Sequence, residues 1–163
     1  MQLNGLIHKL PGEIKLLIGV FSIVLSIGFY TGLLFVNETS SLSAKGIEEN
    51  YLGNENVQDV EVMKFKKPDK EMLSIVHSHI LSMSLIFFLV GLILSITRLN
   101  KKLKLFLMIE PFFSVVFTFG GIYLLWKGIL WMKYIVMFSG SLMTLSFTVS
   151  MLIIIFQLLR SKE

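Results

Sequence analysis

The stretch Tyr134–Leu159, YIVMFSGSLMTLSFTVSMLIIIFQLL, runs for 26 residues without a charged side chain. About 20 consecutive, mostly apolar residues are enough for a helix to cross the roughly 30 Å hydrocarbon core of a bilayer. This stretch therefore predicts a membrane-spanning helix.

Three further stretches of the same kind precede it. Short charged segments separate the last three stretches, which makes consecutive helices antiparallel neighbours. The sequence predicts an all-α integral membrane protein, an up-down-up-down four-helix bundle within a single transmembrane domain spanning residues 1–163. The predicted helices cover about 14–36, 73–96, 103–126 and 134–159.

The composition supports a membrane protein and excludes other classes. Hydrophobic residues make up 54% of the chain and charged residues 16%, with a mean hydropathy of +0.75. Soluble domains are nearer 45–50% apolar and about 25% charged, so a soluble enzyme is disfavoured. The absence of cysteine removes disulfides, thiolate metal sites and covalent c-type haem. We interpret the net charge of +4 as an orientation signal, and we expect no nucleic-acid partner.

The polar loop 37–72 carries most of the carboxylates, and residues 41–51 within it are compatible with an amphipathic surface turn or a short helix. We expect this loop to form a cap on the bundle. Basic residues are densest in the segment 98–104, and such density is typical of cytoplasmic loops. We therefore predict a bacterial cytoplasmic-membrane protein with both termini in the cytoplasm and the loop outside.

Small and polar side chains recur on one face of every predicted helix. In lipid such residues allow helices to approach closely and to form hydrogen bonds across the interface. The stripes predict a mildly polar interior, for which simple helix adhesion is sufficient. They comprise Gly19, Ser22, Ser26 and Tyr30; His77, Ser84, Gly91 and Ser95; Glu110, Ser114 and Gly121; and Gly140, Thr144 and Thr148.

The pair His77 and His79 lies near the outer end of the second helix. Imidazole serves as a ligand of metals or haem and as a proton acceptor near neutral pH. Residues two apart point about 200° from each other on a helix, so we expect His77 alone to face inward. The alternative is that both rings rest at the headgroup level.

A loop carboxylate, or Tyr51, folded over His77 would complete a site for Zn or Cu. Haem iron would need His-Met ligation or a site shared between two copies of the chain. Bis-histidine haem within one chain is excluded, since the only other histidine, His8, lies before the first helix. The candidate ligands are therefore His77, His79, Glu48, Glu49 and Glu55.

Glu110, followed by Pro111, lies within the third predicted helix. An ionisable group at membrane depth is costly and is by default a functional candidate. Pro111 removes one backbone hydrogen bond and bends the helix, which favours a small polar pocket. The alternative is that Glu110 reaches interfacial water or pairs with Lys101 or Lys104.

Several local patterns resemble a family of small bacterial four-helix inner-membrane proteins that carry a His-x-His pair at the start of the second helix. The resemblance implies the same fold and assigns no activity. It rests on Thr31-Gly32-Leu33, Gly46-Ile47-Glu48-Glu49, Tyr51-x-Gly53-Asn54-Glu55, His77-x-His79, Ile109-Glu110-Pro111-Phe112 and Thr118-Phe119-Gly120-Gly121.

Three roles remain open from the sequence. The first is a metal- or haem-binding accessory protein with its site near His77. The second is an assembly subunit that binds another membrane protein or a second copy of itself. The third is an oligomeric proton-coupled transporter that uses Glu110. No Ser-His-Asp, His-x-x-x-His or phosphate-loop pattern is present, so the sequence favours a non-enzymatic role without deciding the question.

Overall fold

The structure, a computed structural model, describes residues 4–55 and 62–160, and all their regular elements are helical. Four helical segments are long and apolar enough to cross a membrane. The predicted all-α four-helix membrane bundle is therefore confirmed. The helices are α1 (Gly12–Ser40), α2 (Ala44–Leu52), α3 (Asp69–Ser95), α4 (Lys101–Val115), α5 (Gly121–Trp126) and α6 (Met132–Leu159).

The third span is a composite helix. A π-helical turn, Val116–Gly120, joins α4 to α5, so that residues 101–126 cross the membrane as one segment. Pro111 lies inside α4 and has no N–H to donate to the carbonyl group of Leu107. Proline and π-helical turns are both known causes of helix distortion, and here they lie within ten residues of each other.

Helix α6 is the element against which the other spans pack. Its Phe147 is fully buried. The ring of Phe147 stacks on Phe29 of α1 with centroids 3.9 Å apart and meets Phe87 of α3 edge-on at 6.3 Å. A hydrogen bond of 2.9 Å between the hydroxyl groups of Tyr30 and Thr148 also joins α1 to α6. These contacts fix α6 between α1 and α3.

Helix α1 is the most lipid-exposed span. Only 6% of its most apolar window is buried within the protein, compared with 50% for the span 101–126. Its extensive contacts are with α6 and α2, whereas α3, α4 and α6 pack on one another. Within the described residues, the bundle is a three-helix core with α1 attached to one side of α6.

The loop between α1 and α3 forms a cap, and it contains α2. The hydroxyl group of Ser43 accepts a 3.0 Å hydrogen bond from the amide of Gly46 and starts this helix. Its Ile47 is buried against the core. The carboxylate of Glu48 binds the ammonium group of Lys133 at 2.5 Å. Burial raises the pKa of the Tyr51 phenol, while a hydrogen bond with the Asn50 side chain opposes that shift.

Hydrogen bonds of two side chains, Asn54 and Trp126, hold the part of the loop that follows α2. Gly53 has a φ of 81°, a conformation that glycine adopts without strain. The buried Asn54 side chain donates to the carbonyl group of Val62 at 3.0 Å and accepts from the amide of Lys64 at 2.7 Å. The indole of Trp126 donates to the carbonyl group of Lys67 at 2.8 Å. The loop is thus attached to the end of the third span.

Candidate functional site

Glu110 of α4 forms the centre of a buried hydrogen-bond cluster between α4 and α6. Its side chain is only 8% exposed. Ser114, one turn further along α4, donates its hydroxyl to Oε1, and Ser146 of α6 donates to Oε2. Both carboxyl oxygens therefore have a partner, as a buried polar group requires.

A second hydroxyl pair lies further along the same interface. Thr118, in the π-helical turn, and Ser139 of α6 are 2.7 Å apart. Ser139 Oγ also lies 2.7 Å from the carbonyl oxygen of Ile135 on its own helix. The interface between the third span and α6 thus contains two separate polar links within an apolar environment.

The two links border a groove that we call the α4–α6 groove. It has a volume of about 720 Å³ and lies between the span 101–126 and α6. Glu110, Ser114 and Ser139 contribute to its lining, and the remaining lining is mostly apolar and aromatic. π-Helical turns occur frequently at functional sites, and this one contributes to the wall of the groove. The other lining residues include Phe113, Phe117, Gly120, Tyr123, Trp131 and Phe138.

Among the described residues, Glu110 is not paired with Lys101 or Lys104, which was one part of the predicted alternative. Lys104 does not pair with this carboxyl group. Its ammonium group donates instead to Asn4 Oδ1 at 2.9 Å and to the carbonyl groups of Ser95 and Thr97 at 3.0 and 2.6 Å. No lysine binds Glu110 among the residues that the structure describes; serine hydroxyls stabilise the carboxyl group.

Sequence reasoning missed Ser139 and Ser146 as partners of the third span. The predicted stripe on α6 followed Gly140, Thr144 and Thr148, and Thr148 does bind Tyr30 of α1. The buried serines of α6 form a second stripe, from which Ser146 contacts Glu110 of α4 and Ser139 contacts Thr118 of the π-helical turn. The sequence did contain a signal for this stripe. Ser139, Ser146 and Ser150 are separated by seven and four residues, spacings that place all three on one face of a helix.

Both histidines of the pair are exposed. His77 is exposed, so the prediction that it points into the bundle is wrong for the chain as described. The ring of His79 lies 4.7 Å from the ring of Phe119 in the π-helical turn, and its Nδ1 is 2.8 Å from the carbonyl oxygen of Ile75. His79 is exposed, as expected for a residue that does not face inward, and one side of its ring packs on the third span.

The loop carboxylates that the sequence offered as metal ligands have other partners. Glu48 pairs with Lys133, as described above, and Glu49 lies 3.6 Å from the ammonium group of Lys45. Glu55 accepts a 3.2 Å hydrogen bond from the amide of Lys66. In residues 4–55 and 62–160, no group of three or more His, Asp or Glu side chains is arranged to hold a metal ion. Metal binding remains a prediction.

Four spanning helices and an apolar surface define a multi-pass integral membrane protein. Residues 41–163 match a family model described as Aq_1264_TM, transmembrane helical domain. The chain therefore belongs to the Aq_1264_TM family of transmembrane helical domains. The matched region begins directly after α1, so it contains the three-helix core and the cap. No curated protein and no solved structure matches the chain.

Proposed function

We propose that this protein binds a membrane-resident amphiphile in the α4–α6 groove, with the polar group of the ligand hydrogen-bonded to Glu110. The observation that carries the proposal is a buried carboxyl group in the wall of a mostly apolar groove. The protein acts in this proposal as a binding or carrier protein within the bilayer.

The size and lining of the groove support a lipid-like ligand. Ligand pockets commonly have volumes of about 300–1,000 Å³ and combine an apolar lining with a few polar groups. The α4–α6 groove, at about 720 Å³, has this character. An acyl or isoprenoid chain matches its aromatic and aliphatic walls, and such a ligand is already dissolved in the bilayer.

The polar wall supports a ligand with a hydrogen-bonding head. A carboxyl group within hydrocarbon is costly and is retained mainly for function. Each carboxyl oxygen can accept more than one hydrogen bond, so the bonds from Ser114 and Ser146 leave further acceptor capacity on Glu110. A ligand hydroxyl, amine or protonated head group would use that capacity.

Lipid extraction tests the proposal directly. The protein is purified in mild detergent, and co-purifying lipophilic molecules are extracted and identified by mass spectrometry. Gly120 lines the groove, and a Cβ atom there meets nothing within 4 Å, so Gly120→Leu adds bulk without a clash at its Cβ. Gly28→Leu is the matched control, because Gly28 of α1 is also unobstructed but lies outside the groove.

We expect a defined lipophilic species to co-purify with the native protein and with the Gly28→Leu variant. Gly120→Leu should remove it, and Glu110→Gln should lower its recovery while the helix content is unchanged. Equal recovery from the native protein and Gly120→Leu would contradict the proposal. A brominated lipid analogue adds a second readout, since it should quench the fluorescence of Trp131, which lines the groove, and the quenching should disappear in Trp131→Phe.

The other predicted roles have their own tests. Elemental analysis for Fe, Cu, Zn and Mn, with His77→Ala as the comparison, tests the metal- or haem-binding role. Co-purification of another membrane protein tests the assembly role. Loss of a pH-dependent flux in Glu110→Gln, measured in proteoliposomes, tests proton-coupled transport. The last role uses the same carboxyl group as the proposed ligand site.

A further inference from the structure

The end of the bundle that carries both termini is an ordered surface, which we call the terminal platform. It consists of the 3-10 turn Leu6–Lys9, the connection 96–100, the first turn of α4 and the last turn of α6. The amides of Gly5 and Ile7 donate to the carbonyl groups of Thr97 and Ile96 at 3.3 and 3.1 Å. These bonds tie the beginning of the described chain to the connection between α3 and α4.

Side chains complete the platform. The amide group of Gln157, on α6, accepts from the backbone N–H of Arg98 at 2.7 Å and donates to its carbonyl group at 3.0 Å. Asn4 accepts from the amide of Leu99 at 3.3 Å. Ile7 and Thr97 are fully buried beneath these bonds. The backbone that carries the basic residues is therefore held in place before any ligand arrives.

The platform presents a concentration of exposed cations. Among residues 4–55 and 62–160, all the ion pairs lie on the opposite side of the bundle; they are Lys45–Glu49, Lys67–Glu71 and Lys133–Glu48. None of the platform cations takes part in one. The exposed cations of the platform are Lys9, Arg98, Lys101, Lys102 and Arg160.

The first turn of α4 adds a favourable dipole to these charges. Lys101 and Lys102 are its first two residues, and Asn100 caps it by accepting from the amide of Lys102 at 2.9 Å. Backbone N–H groups at a helix N-terminus and the helix dipole both favour a bound anion. The segment 98–102 thus contains three cations, Arg98, Lys101 and Lys102, and the N-terminus of a helix.

We propose that the terminal platform binds the phosphate of an anionic phospholipid head group, chiefly through Arg98, Lys101 and Lys102. The platform lies at the ends of apolar spans, so these side chains are at the level of the lipid head groups. Clusters of Lys and Arg at this level attract anionic lipids. This site is separate from the α4–α6 groove and does not depend on the proposed function.

Native mass spectrometry of the full chain in detergent tests this site. The protein is titrated with phosphatidylglycerol and, separately, with phosphatidylcholine carrying the same acyl chains. The test variant is Arg98→Gln/Lys101→Gln/Lys102→Gln. The matched control removes three exposed cations from the cap side, Lys45→Gln/Lys70→Gln/Lys127→Gln. A charge-conserving variant, Arg98→Lys/Lys101→Arg/Lys102→Arg, shows whether charge is what matters.

We expect the native protein, the control and the charge-conserving variant to prefer phosphatidylglycerol. In the test variant, the ratio of phosphatidylglycerol affinity to phosphatidylcholine affinity should be at least about fivefold lower than in the native protein. Loss of even one such cation is expected to cause a change of this size. Equal binding of both lipids by the native protein would overturn the proposal, as would an equal loss of preference in the control. Displacement of the lipid by an equimolar amount of inorganic phosphate would also overturn it, because the site would then be one for free phosphate.

Discussion

Oε2 of Glu110 on α4 accepts a hydrogen bond from the hydroxyl of Ser146 on α6, inside the membrane-spanning part of the bundle. The two residues are 36 positions apart in the chain, and each lies on a helix whose sequence is apolar on nearly every side. This bond joins the two most extensively packed spans. It also fixes the orientation of the carboxyl group in the wall of the α4–α6 groove.

The first prediction concerns the energy of this bond. Ser146→Ala removes one of the two donors to a buried carboxyl group, and we expect it to lower the free energy of unfolding by about 1 kcal/mol, as for other hydrogen bonds between membrane helices. A double-mutant cycle with Glu110→Gln, measured by reversible unfolding in micelles, gives the coupling between the two side chains.

Thr144→Ala is the control for that cycle. Thr144 also lies on α6, but its hydroxyl donates only to the carbonyl group of Gly140 on the same helix. We expect no measurable coupling between Thr144 and Glu110. An equal coupling for Thr144 and Ser146 would show that the effect comes from α6 as a whole and not from the bond.

The second prediction concerns Phe147 as the packing centre of α6. Phe147→Ala should destabilise the protein by about 3–5 kcal/mol, the usual cost of removing a buried aromatic side chain, because three aromatic rings surround this position. Thermal unfolding of the purified protein measures the loss. Phe156→Ala, at a side chain that is 66% exposed on the same helix, should cost under about 1 kcal/mol.

The third prediction concerns the backbone of the cap. A Cβ atom at Gly53 would lie 2.7 Å from the amide nitrogen of Lys66 and 2.8 Å from the carbonyl oxygen of Lys64, and φ is positive there. Gly53→Ala should therefore cost roughly 1–3 kcal/mol of local stability. Limited proteolysis of the loop should accelerate about tenfold. Gly32→Ala, where a Cβ atom meets nothing within 4 Å, should leave the rate unchanged; equal acceleration in both variants would contradict this account.

The fourth prediction concerns orientation. Because the chain contains no cysteine, single substitutions give unambiguous labelling. We predict that Lys45→Cys, in the cap, reacts with a membrane-impermeant maleimide in intact cells. Lys101→Cys, on the terminal platform, should react only after the membrane is permeabilised. The reverse pattern would place the platform outside and the cap in the cytoplasm.

Much of the cap was predictable from the sequence, whereas the orientation of His77 was not. The amphipathic pattern of residues 41–51 predicted a surface turn or a short helix, and α2 covers Ala44–Leu52. The inward position of His77 was wrong because α3 packs chiefly through another face, on which Phe87, Val90 and Leu94 are buried. Of the predicted stripe on this helix, only Gly91 is buried. The small and polar side chains of α3 mostly do not coincide with its buried face, so they do not indicate which face meets a neighbouring helix.

The sequence by itself determined the number of spanning helices and their approximate limits, because the length of an apolar stretch relative to the bilayer is a local property. It also singled out Glu110, whose charge is conspicuous in an apolar stretch. Only the tertiary structure decided that Ser146 is its partner and that a groove lies beside it. The physical reason is that α6 contacts α1 through Thr148 and α4 through Ser146. Which partner each face takes depends on how the helices rotate and pack, and hydropathy does not encode that rotation.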